Sequence, residues 1–193
     1  MSYRLRVATL ADEARLRDLI ARSIRALGAA DYSPQQIEGA LRGAFGVDTA
    51  LIRDETYFVV ETDGGDLVAC GGWSRRRTLF GSDARGGRDE SLLDPRRDAA
   101  RIRAFFVDPR HARRGLGRSI LERSEREARA EGFVAFELMA TLPGVRLYEK
   151  FGYRAGEAVN HPLPGPGQGV ASGSAGLTIR FVPMTKKDAV SSG

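Results

Sequence analysis

Residues 113–118, which have the sequence Arg-Arg-Gly-Leu-Gly-Arg, have the composition of an anion-binding loop. They lie between a predicted strand at 101–107 and a predicted helix at 119–131. The first N–H groups of a helix have no intrahelical acceptor, and together with the helix dipole they attract phosphate. Gly115 and Gly117 allow the backbone to approach a diphosphate closely and to adopt positive φ. The segment is therefore a candidate phosphate site.

The charges of this segment support an anion. Arg113, Arg114 and Arg118 crowd the positive end of a helix, where each cation costs ~0.3–1 kcal/mol. A bound anion would reverse the sign of that energy. The alternative is a solvated basic turn ahead of an ordinary surface helix. The Gly-Lys-Ser/Thr of a P-loop is absent, and Ile120 stands where the dinucleotide fingerprint requires its third glycine.

Hydrophobic periodicity predicts the elements that position this loop. Helices are predicted between the Thr9 cap and Gly28, from Ser33 through Leu41 toward Phe45, at 119–131 and at 143–151. Strands are predicted at 3–7, 56–61, 67–73, 101–107, 133–140, 153–158 and 177–184. Residues 75–100 and 161–176 are predicted to be long loops. The order β-α-α-β-β-loop-β-α-β-α-β-β favours an α/β (α+β) fold, with a mixed, mostly antiparallel central sheet of about six to seven strands flanked by helices.

Length and composition limit the function classes. The 193 residues suit a single domain at 1–184, followed by a polar tail at 185–193. One cysteine excludes an internal disulfide and favours the cytoplasm, and with only two histidines no metal site is expected. No leader is predicted at the N-terminus, and no apolar run approaches the ~20 residues of a membrane helix. The net charge of +5 suits a phosphorylated ligand or nucleic acid. Nucleic acid is disfavoured because the arginines of helix 119–131 alternate with acids and no stacking aromatics accompany them.

Three stretches resemble the GNAT superfamily of N-acetyltransferases. Ala112-Arg-Arg-Gly-Leu-Gly117 is similar to the family's CoA loop, Gln/Arg-x-x-Gly-x-Gly/Ala, with Ala112 replacing the first residue. Phe105-Phe-Val-Asp-Pro109 resembles the strand that runs beside the pantetheine arm. Leu147-Tyr-Glu-Lys-Phe-Gly-Tyr153 resembles the second signature. The resemblance covers a CoA-binding core at 101–154, and at the position where many members carry Asn this chain has Thr141.

The resemblance implies an N-acetyltransferase that moves an acetyl group from acetyl-CoA to a primary amine of a small molecule or peptide by direct attack. It implies Tyr148 as general acid, against the alternative that this ring only packs. Many members form homodimers. The residues implied to bind the cofactor are Phe105, Phe106, Val107, Arg113, Arg114, Gly115, Leu116, Gly117, Arg118 and Ser119.

The general base is left open. Glu137 is one candidate, because its neighbours Phe136 and Leu138 take the opposite face of a strand, and a solvated strand residue is the alternative. His161 is expected to be exposed, and His111 is expected to contact phosphate or water. A water relay without a single base is equally consistent. Two other functions are kept: a non-catalytic module that senses acyl-CoA, and a basic nucleic-acid-binding protein.

Further residues are expected to be structural or weaker candidates. Cys70 is expected to be a buried core thiol, because no histidine pairs with it in sequence. The arginines at 75–77 are expected to be a solvated strand end, with an acidic substrate or a ribose phosphate as the alternative. Asp94 and Glu90 are weaker candidates for binding a cationic amine.

Overall fold

The computed structural model describes residues 2–85, 87–164 and 173–188. It contains an eight-stranded sheet in which six strands follow the order β1-β2-β3-β4-β5-β8, and β6 and β7 both pair with β8. All strand pairs are antiparallel except β4 and β5. The strands are β1 (Tyr3–Val7), β2 (Tyr57–Thr62), β3 (Leu67–Ser74), β4 (Ala100–Val107), β5 (Ala135–Thr141), β6 (Arg154–Ala155), β7 (Val159–Pro164) and β8 (Gly173–Lys187). The helices are α1 (Glu13–Leu27), α2 (Pro34–Leu41), α3 (Thr49–Arg53), α4 (Leu116–Ala130) and α5 (Val145–Lys150).

Each face of the sheet has its own hydrophobic core. Tyr57 and Val59 of β2 face one core, to which α1, α2 and α3 contribute, whereas Phe58 and Val60 face the other, to which α4 and α5 contribute. This alternation is the period-2 pattern of a strand that is buried on both faces. The predicted fold class, a mostly antiparallel mixed sheet flanked by helices, is confirmed.

The parallel pair β4–β5 is joined at one end only. Its register consists of Ala100 opposite Phe136 and Arg101 opposite Glu137, after which the strands separate. On its other edge, β4 has a register shift against β3. Ala104 beside this irregularity has φ of 57°, which is uncommon for a residue with a Cβ. The resulting gap in the middle of the sheet is the main structural feature that local sequence patterns do not predict.

The C-terminal third departs most from the sequence-based expectations. The predicted strand at 153–158 is only Arg154–Ala155, and the predicted loop from His161 contains β7 and the start of β8. β7 pairs with β8 alone, so its prolines need no second ladder, and proline is tolerated in such an edge strand. Residues 165–172 of the predicted loop lie outside the described residues. Thr185 to Lys187, predicted to belong to the tail, continue β8, and 189–193 are not described.

Two differences occur before β2. Helix α3 was missed, because five residues are too short to show a helical period. Helix α2 ends at Leu41 instead of continuing toward Phe45, and Phe45 N–H turns back to bond Ala40 O at 2.8 Å. Among the described residues, no helix is long and apolar enough to cross a membrane.

The predicted loop at 75–100 is tied down by charged groups. Arg76 forms a bidentate pair with Asp54 at 2.6 and 2.7 Å, and Arg75 pairs with Glu131 at 3.0 Å. The expectation that the arginines at 75–77 form a solvated strand end is therefore wrong for Arg75 and Arg76. Arg88 of this loop donates a hydrogen bond to the buried carboxylate of Asp48 at 2.6 Å.

Candidate active site

A long groove opens where β4 and β5 separate, and its volume is about 810 Å³. The loop 112–118 forms one end, residues 105–107 of β4 form the floor, and α1 and α5 form the sides. The lining includes Ile24, Leu27 and Leu147 as well as several arginines. A groove with apolar sides and a basic end suits an elongated ligand that carries anions at one end.

The basic end is built from free backbone N–H groups. Helix α4 begins at Leu116, and the first residue bonded back to the loop is Ser119, whose N–H donates to Gly115 O at 3.0 Å. The N–H groups of Leu116, Gly117 and Arg118 thus have no intrahelical acceptor. Gly115 has φ of 81°, a left-handed conformation that glycine adopts without steric cost. These N–H groups lie at the positive end of the helix dipole, which is the arrangement that binds phosphate.

Side chains around the loop hold it in place. A Cβ on Gly117 would lie 3.3 Å from Leu147 Cδ2, so a larger residue here would require a small shift of the Leu147 side chain. Arg114 donates to Tyr3 Oη at 3.2 Å, and Arg118 bonds Glu122 at 2.8 Å. Arg113 is exposed and forms no ion pair with any described residue. It is the arginine of the three most available to a ligand.

The floor of the groove is an interrupted strand. The carbonyl of Ala104 accepts the hydroxyl proton of Tyr57 at 3.1 Å, which satisfies one backbone group that the irregularity releases. Further along, Val107 N–H donates to Ser23 Oγ of α1 at 3.2 Å. This N–H therefore faces α1 across the groove and is not used in a strand ladder with β5. A ligand carbonyl can accept a hydrogen bond from this N–H if the Ser23 hydroxyl moves away.

Tyr148 stands at the far end of the groove. Its ring packs edge to face against Phe105 and Tyr153, with centroid distances of 6.1 and 5.7 Å. The side chain is buried, and burial raises the pKa of its phenol well above the usual value of 10. Its hydroxyl therefore remains protonated throughout the physiological range. Among the described residues, it has no hydrogen-bond partner.

A small pocket of about 70 Å³ adjoins the groove on the other side of Tyr148. Phe105, Phe106, Thr141 and Tyr148 line both cavities, so the two spaces meet at these side chains. The remaining walls of the small pocket are mostly apolar and include Phe45, Phe80, Met139 and Phe181. Two ligands entering from opposite sides would meet beside the Tyr148 phenol.

A family model described as the Acetyltransferase (GNAT) family matches residues 23–153, more than half of the chain. The chain belongs to the GNAT acetyltransferase family. The resemblance predicted from the loop and the Tyr148 segment is thereby confirmed, and the chain is an acyltransferase at the level of its family. A comparison with curated protein sequences finds no match.

Solved structures of GNAT proteins share the fold. A GCN5-related N-acetyltransferase from Rhodopseudomonas palustris aligns with TM-score 0.65 and 20% identity over 97% of this chain and 96% of its own. PaiA N-acetyltransferase from Thermoplasma acidophilum, in complex with coenzyme A, gives 0.61 and 15% over 97% and 99%. A GNAT acetyltransferase from Brucella melitensis, in complex with acetyl-CoA, gives 0.51 and 18% over 80% and 84%. At these identities the likeness establishes the fold.

Within this GNAT fold, eight of the ten residues predicted to bind the cofactor line the groove and two do not. Ser119 and Arg114 do not line it: the Ser119 hydroxyl bonds Gly115 O at 3.3 Å, and Arg114 points to Tyr3. The other eight line the groove. They are Phe105, Phe106, Val107, Arg113, Gly115, Leu116, Gly117 and Arg118.

Glu137 lies away from both cavities. It sits at the joined end of β4 and β5, where its carboxylate contacts the guanidinium of Arg101. The alternation that predicted its orientation is correct, because Met139 and Thr141 on the same face line the small pocket, but Glu137 itself contacts Arg101 and lines neither cavity. Its position gives no support to a role as base.

The two histidines also differ from expectation. His111 is buried under the loop, where Nδ1 lies 3.0 Å from Tyr3 Oη, and it does not line the groove. His161 is half-buried on β7, edge to face with Phe80 at 4.9 Å, instead of exposed in a loop. Burial and the charge of Arg85 lower the pKa of His161. Cys70 is buried as expected, and burial raises the pKa of its thiol to about 12.

Sequence reasoning missed four residues of the site. Arg146 and Lys150 line the groove from α5, and their i,i+4 spacing on either side of Tyr148 was the available signal. Ser23 was not predicted, because nothing local connects α1 with β4. Tyr32 was also missed: its hydroxyl donates to Arg180 O and accepts Leu142 N–H, both at 2.8 Å, and so holds the turn that leads into α5.

Proposed function

We propose that this protein transfers an acetyl group from acetyl-CoA to a primary amine of a small molecule or peptide by direct attack. The observation that carries the proposal is the meeting of two cavities at Tyr148, one of which ends on a phosphate-binding loop. Two proteins of the same fold, PaiA and the Brucella protein, are in complex with coenzyme A and acetyl-CoA. Cofactor use by this chain is inferred from these neighbours and from its own groove.

The groove fits the cofactor by its free N–H groups and its shape. Leu116, Gly117 and Arg118 offer N–H groups to the diphosphate, and the absence of side chains at Gly115 and Gly117 leaves room for close approach. Arg113 of the loop and Arg146 and Lys150 of α5 add positive charge to the lining of the groove. The pantetheine arm would follow residues 105–107 of β4 toward Tyr148.

Bound there, acetyl-CoA supplies a thioester whose carbonyl carbon forms a bond to the amine nitrogen while the bond to sulfur breaks. The chain contributes orientation, because the two cavities bring amine and thioester together. We assign Val107 N–H, which donates to Ser23 Oγ in this structure, as the donor to the carbonyl oxygen once the cofactor takes the place of Ser23. The protonated phenol of Tyr148 donates its proton to the departing sulfur.

The amine must lose its proton before or during attack. Among the described residues that line the two cavities, none is a carboxylate or an imidazole. This composition supports a water relay over a single base. We therefore propose that the ammonium proton leaves through water, and that Glu137 takes no part.

Calorimetric titration with acetyl-CoA tests the cofactor site. We expect micromolar binding, weaker binding of 3′-dephospho-CoA and none of free acetate. Gly115→Ala should reduce affinity at least about tenfold, because it strains the loop and adds a methyl group to the groove. Gly65→Ala is the matched control, since Gly65 has φ of 84° in open space within a remote turn. Its strain should cost a similar ~1–2 kcal/mol of stability without changing affinity.

The outcomes separate the possible functions. An absence of acetyl-CoA binding at low salt would contradict the proposal. Binding without release of CoA thiol in the presence of any amine would instead indicate a non-catalytic module. The single buried cysteine is compatible with a reducing compartment, and we propose a cytoplasmic location on that basis.

A further inference from the structure

The small pocket is apolar and cationic, and its chemistry limits the acceptor. Its described lining contains the aromatic rings of Phe45, Phe80 and Phe181, and one charged residue, Arg103. A polyamine acceptor would require a carboxylate near its second ammonium group, because a buried unpaired charge is costly. The described lining supplies none.

Arg85 lies directly behind this wall. Its guanidinium carbon lies 4.2 Å from the centroid of the Phe80 ring, and Nη1 donates to Phe80 O at 2.9 Å. Its stem runs past Gly81, where a Cβ would lie 2.6 Å from Arg85 Cδ. Both Phe80 and Gly81 line the small pocket. Arg85 itself does not line the pocket; its guanidinium lies against the Phe80 ring, about one side-chain layer away, and a ligand group must extend past Phe80 to contact it.

Arg85 is partly buried and has no acidic partner. Among the described residues no carboxylate lies within ion-pair distance of it. None of the remaining residues (1, 86, 165–172 and 189–193) is Asp or Glu, so no side-chain carboxylate outside the described ranges can neutralise it. Burial, and next the charge of Arg88, lower the pKa of Arg85, which reflects this lack of an anion.

The neighbouring charges do not compensate. Arg88 pairs with Asp48 at 2.6 Å and with Asp83 at 3.1 Å, and Arg103 pairs with Asp48 at 2.7 Å. Asp48 and Asp83 thus pair with Arg88 and Arg103, and Arg85 is left without a carboxylate. The excess positive charge lies beside the pocket, and the imidazole of His161 stands against the same Phe80 ring. A ligand anion would complete the charge balance.

We propose that the acceptor is an amine that also carries a carboxylate and an apolar body. The carboxylate pairs with Arg85, the apolar body packs on Phe45, Phe80 and Phe181, and the amine points toward Tyr148. Arg85 is then a specificity-determining residue, because guanidinium binds carboxylate in a bidentate geometry. This inference rests on the proposed acetyl transfer and names the acceptor class for it.

Steady-state release of CoA thiol with three probes tests the inference. L-Phenylalanine carries the carboxylate, 2-phenylethylamine has the same ring and amine without it, and spermidine is a polyamine. We expect the wild type to prefer L-phenylalanine. Arg85→Gln should raise its KM about tenfold or more, because a charge-assisted hydrogen bond contributes roughly that factor. The KM values of 2-phenylethylamine and acetyl-CoA should not change.

Arg126→Gln is the matched control, because Arg126 is exposed on α4, lines neither cavity, and its loss changes the net charge equally. Preference for 2-phenylethylamine or spermidine would overturn the inference and leave acetyl transfer intact. An equal effect of Arg85→Gln on all amines would overturn it too, as would acetyl-CoA binding without turnover of any probe. If the protein neither binds acetyl-CoA nor releases thiol, the proposed function itself fails.

Discussion

Tyr148 is the residue on which the two cavities converge. Its side chain is buried, and its hydroxyl is protonated and has no hydrogen-bond partner among the described residues. The Tyr148 hydroxyl is not among the fully buried polar atoms that lack a partner, whereas the hydroxyl of the neighbouring Tyr153 is. The Tyr148 hydroxyl is therefore the one of the two that a ligand in the cavities can contact, and the sulfur of a bound thioester would accept its proton. The position of Tyr148, its protonated hydroxyl and the lack of a hydrogen-bond partner all support a role as general acid.

Replacement of Tyr148 by phenylalanine should separate chemistry from binding. General acid catalysis contributes ~10²–10⁴-fold, so we expect kcat to fall by about two orders of magnitude while the Kd of acetyl-CoA is unchanged. Rapid-mixing kinetics and calorimetry measure these two quantities. Tyr153→Phe is the control, because its ring packs against Tyr148 but lines neither cavity. Equal activity of the two variants would mean that the ring of Tyr148 only packs.

At the scale of elements, the gap between β4 and β5 creates the site, and the segment 75–98 helps to maintain it. Arg103 of β4 and Arg88 of that segment meet at Asp48, which also caps α3 by accepting Ala50 N–H at 3.1 Å. Asp48 is fully buried, and the two arginine side chains are 3% and 10% exposed. One carboxylate thus joins a strand, a helix and a long connection. The small pocket depends on all three.

Asp48→Ala should be strongly destabilising. It leaves the buried guanidinium of Arg103 without a carboxylate and Arg88 with only Asp83, and loss of one partner of a buried pair typically costs about 3–5 kcal/mol in free energy of unfolding. Urea denaturation monitored by the fluorescence of Trp73 measures the change. Glu13→Ala serves as control, because it breaks an exposed pair with Arg17 on α1 and should cost under ~1 kcal/mol. Similar losses in both variants would show that the Asp48 cluster does not hold the segment.

The sequence predicted the parts of this architecture that depend on local signals. The loop 113–118 and the Tyr148 segment could be recognised because their characteristic residues are adjacent in sequence. The strand–loop–helix order around the loop was predicted from local patterns in the same way. The irregularity at Ala104 does not, because its positive φ is imposed by tertiary contacts, including Tyr57 Oη. Ser23 and Arg85 reach the site only through the fold. The burial of His111 likewise depends on Tyr3, more than a hundred residues away.

In the whole molecule, the two hydrophobic cores support different parts of the site. The face with α4 and α5 carries the loop 112–118 and Tyr148, and the face with α1 to α3 provides most of the aromatic wall of the small pocket. The sheet must remain intact on both sides of the gap for the cavities to meet. Global stability and site geometry are thus linked, and conditions that weaken one core also displace half of the site.

Acid should weaken the molecule through two buried aspartates, Asp12 and Asp108. Their arginine partners, Arg6 and Arg110, lower each carboxyl pKa to about 2 by hydrogen bonding, below the ordinary 3.8. Because the folded pKa is lower, this stability is complete above about pH 4 and is lost as pH falls toward 2. Each pair should contribute about 1–2 kcal/mol, less for Asp108 because Arg110 is mostly exposed.

Denaturation at pH 7 and pH 3 should show a smaller loss of stability in acid for Asp12→Asn than for wild type or for Asp18→Asn, a change at an exposed α1 residue. An identical acid loss in all three proteins would place the acid sensitivity elsewhere.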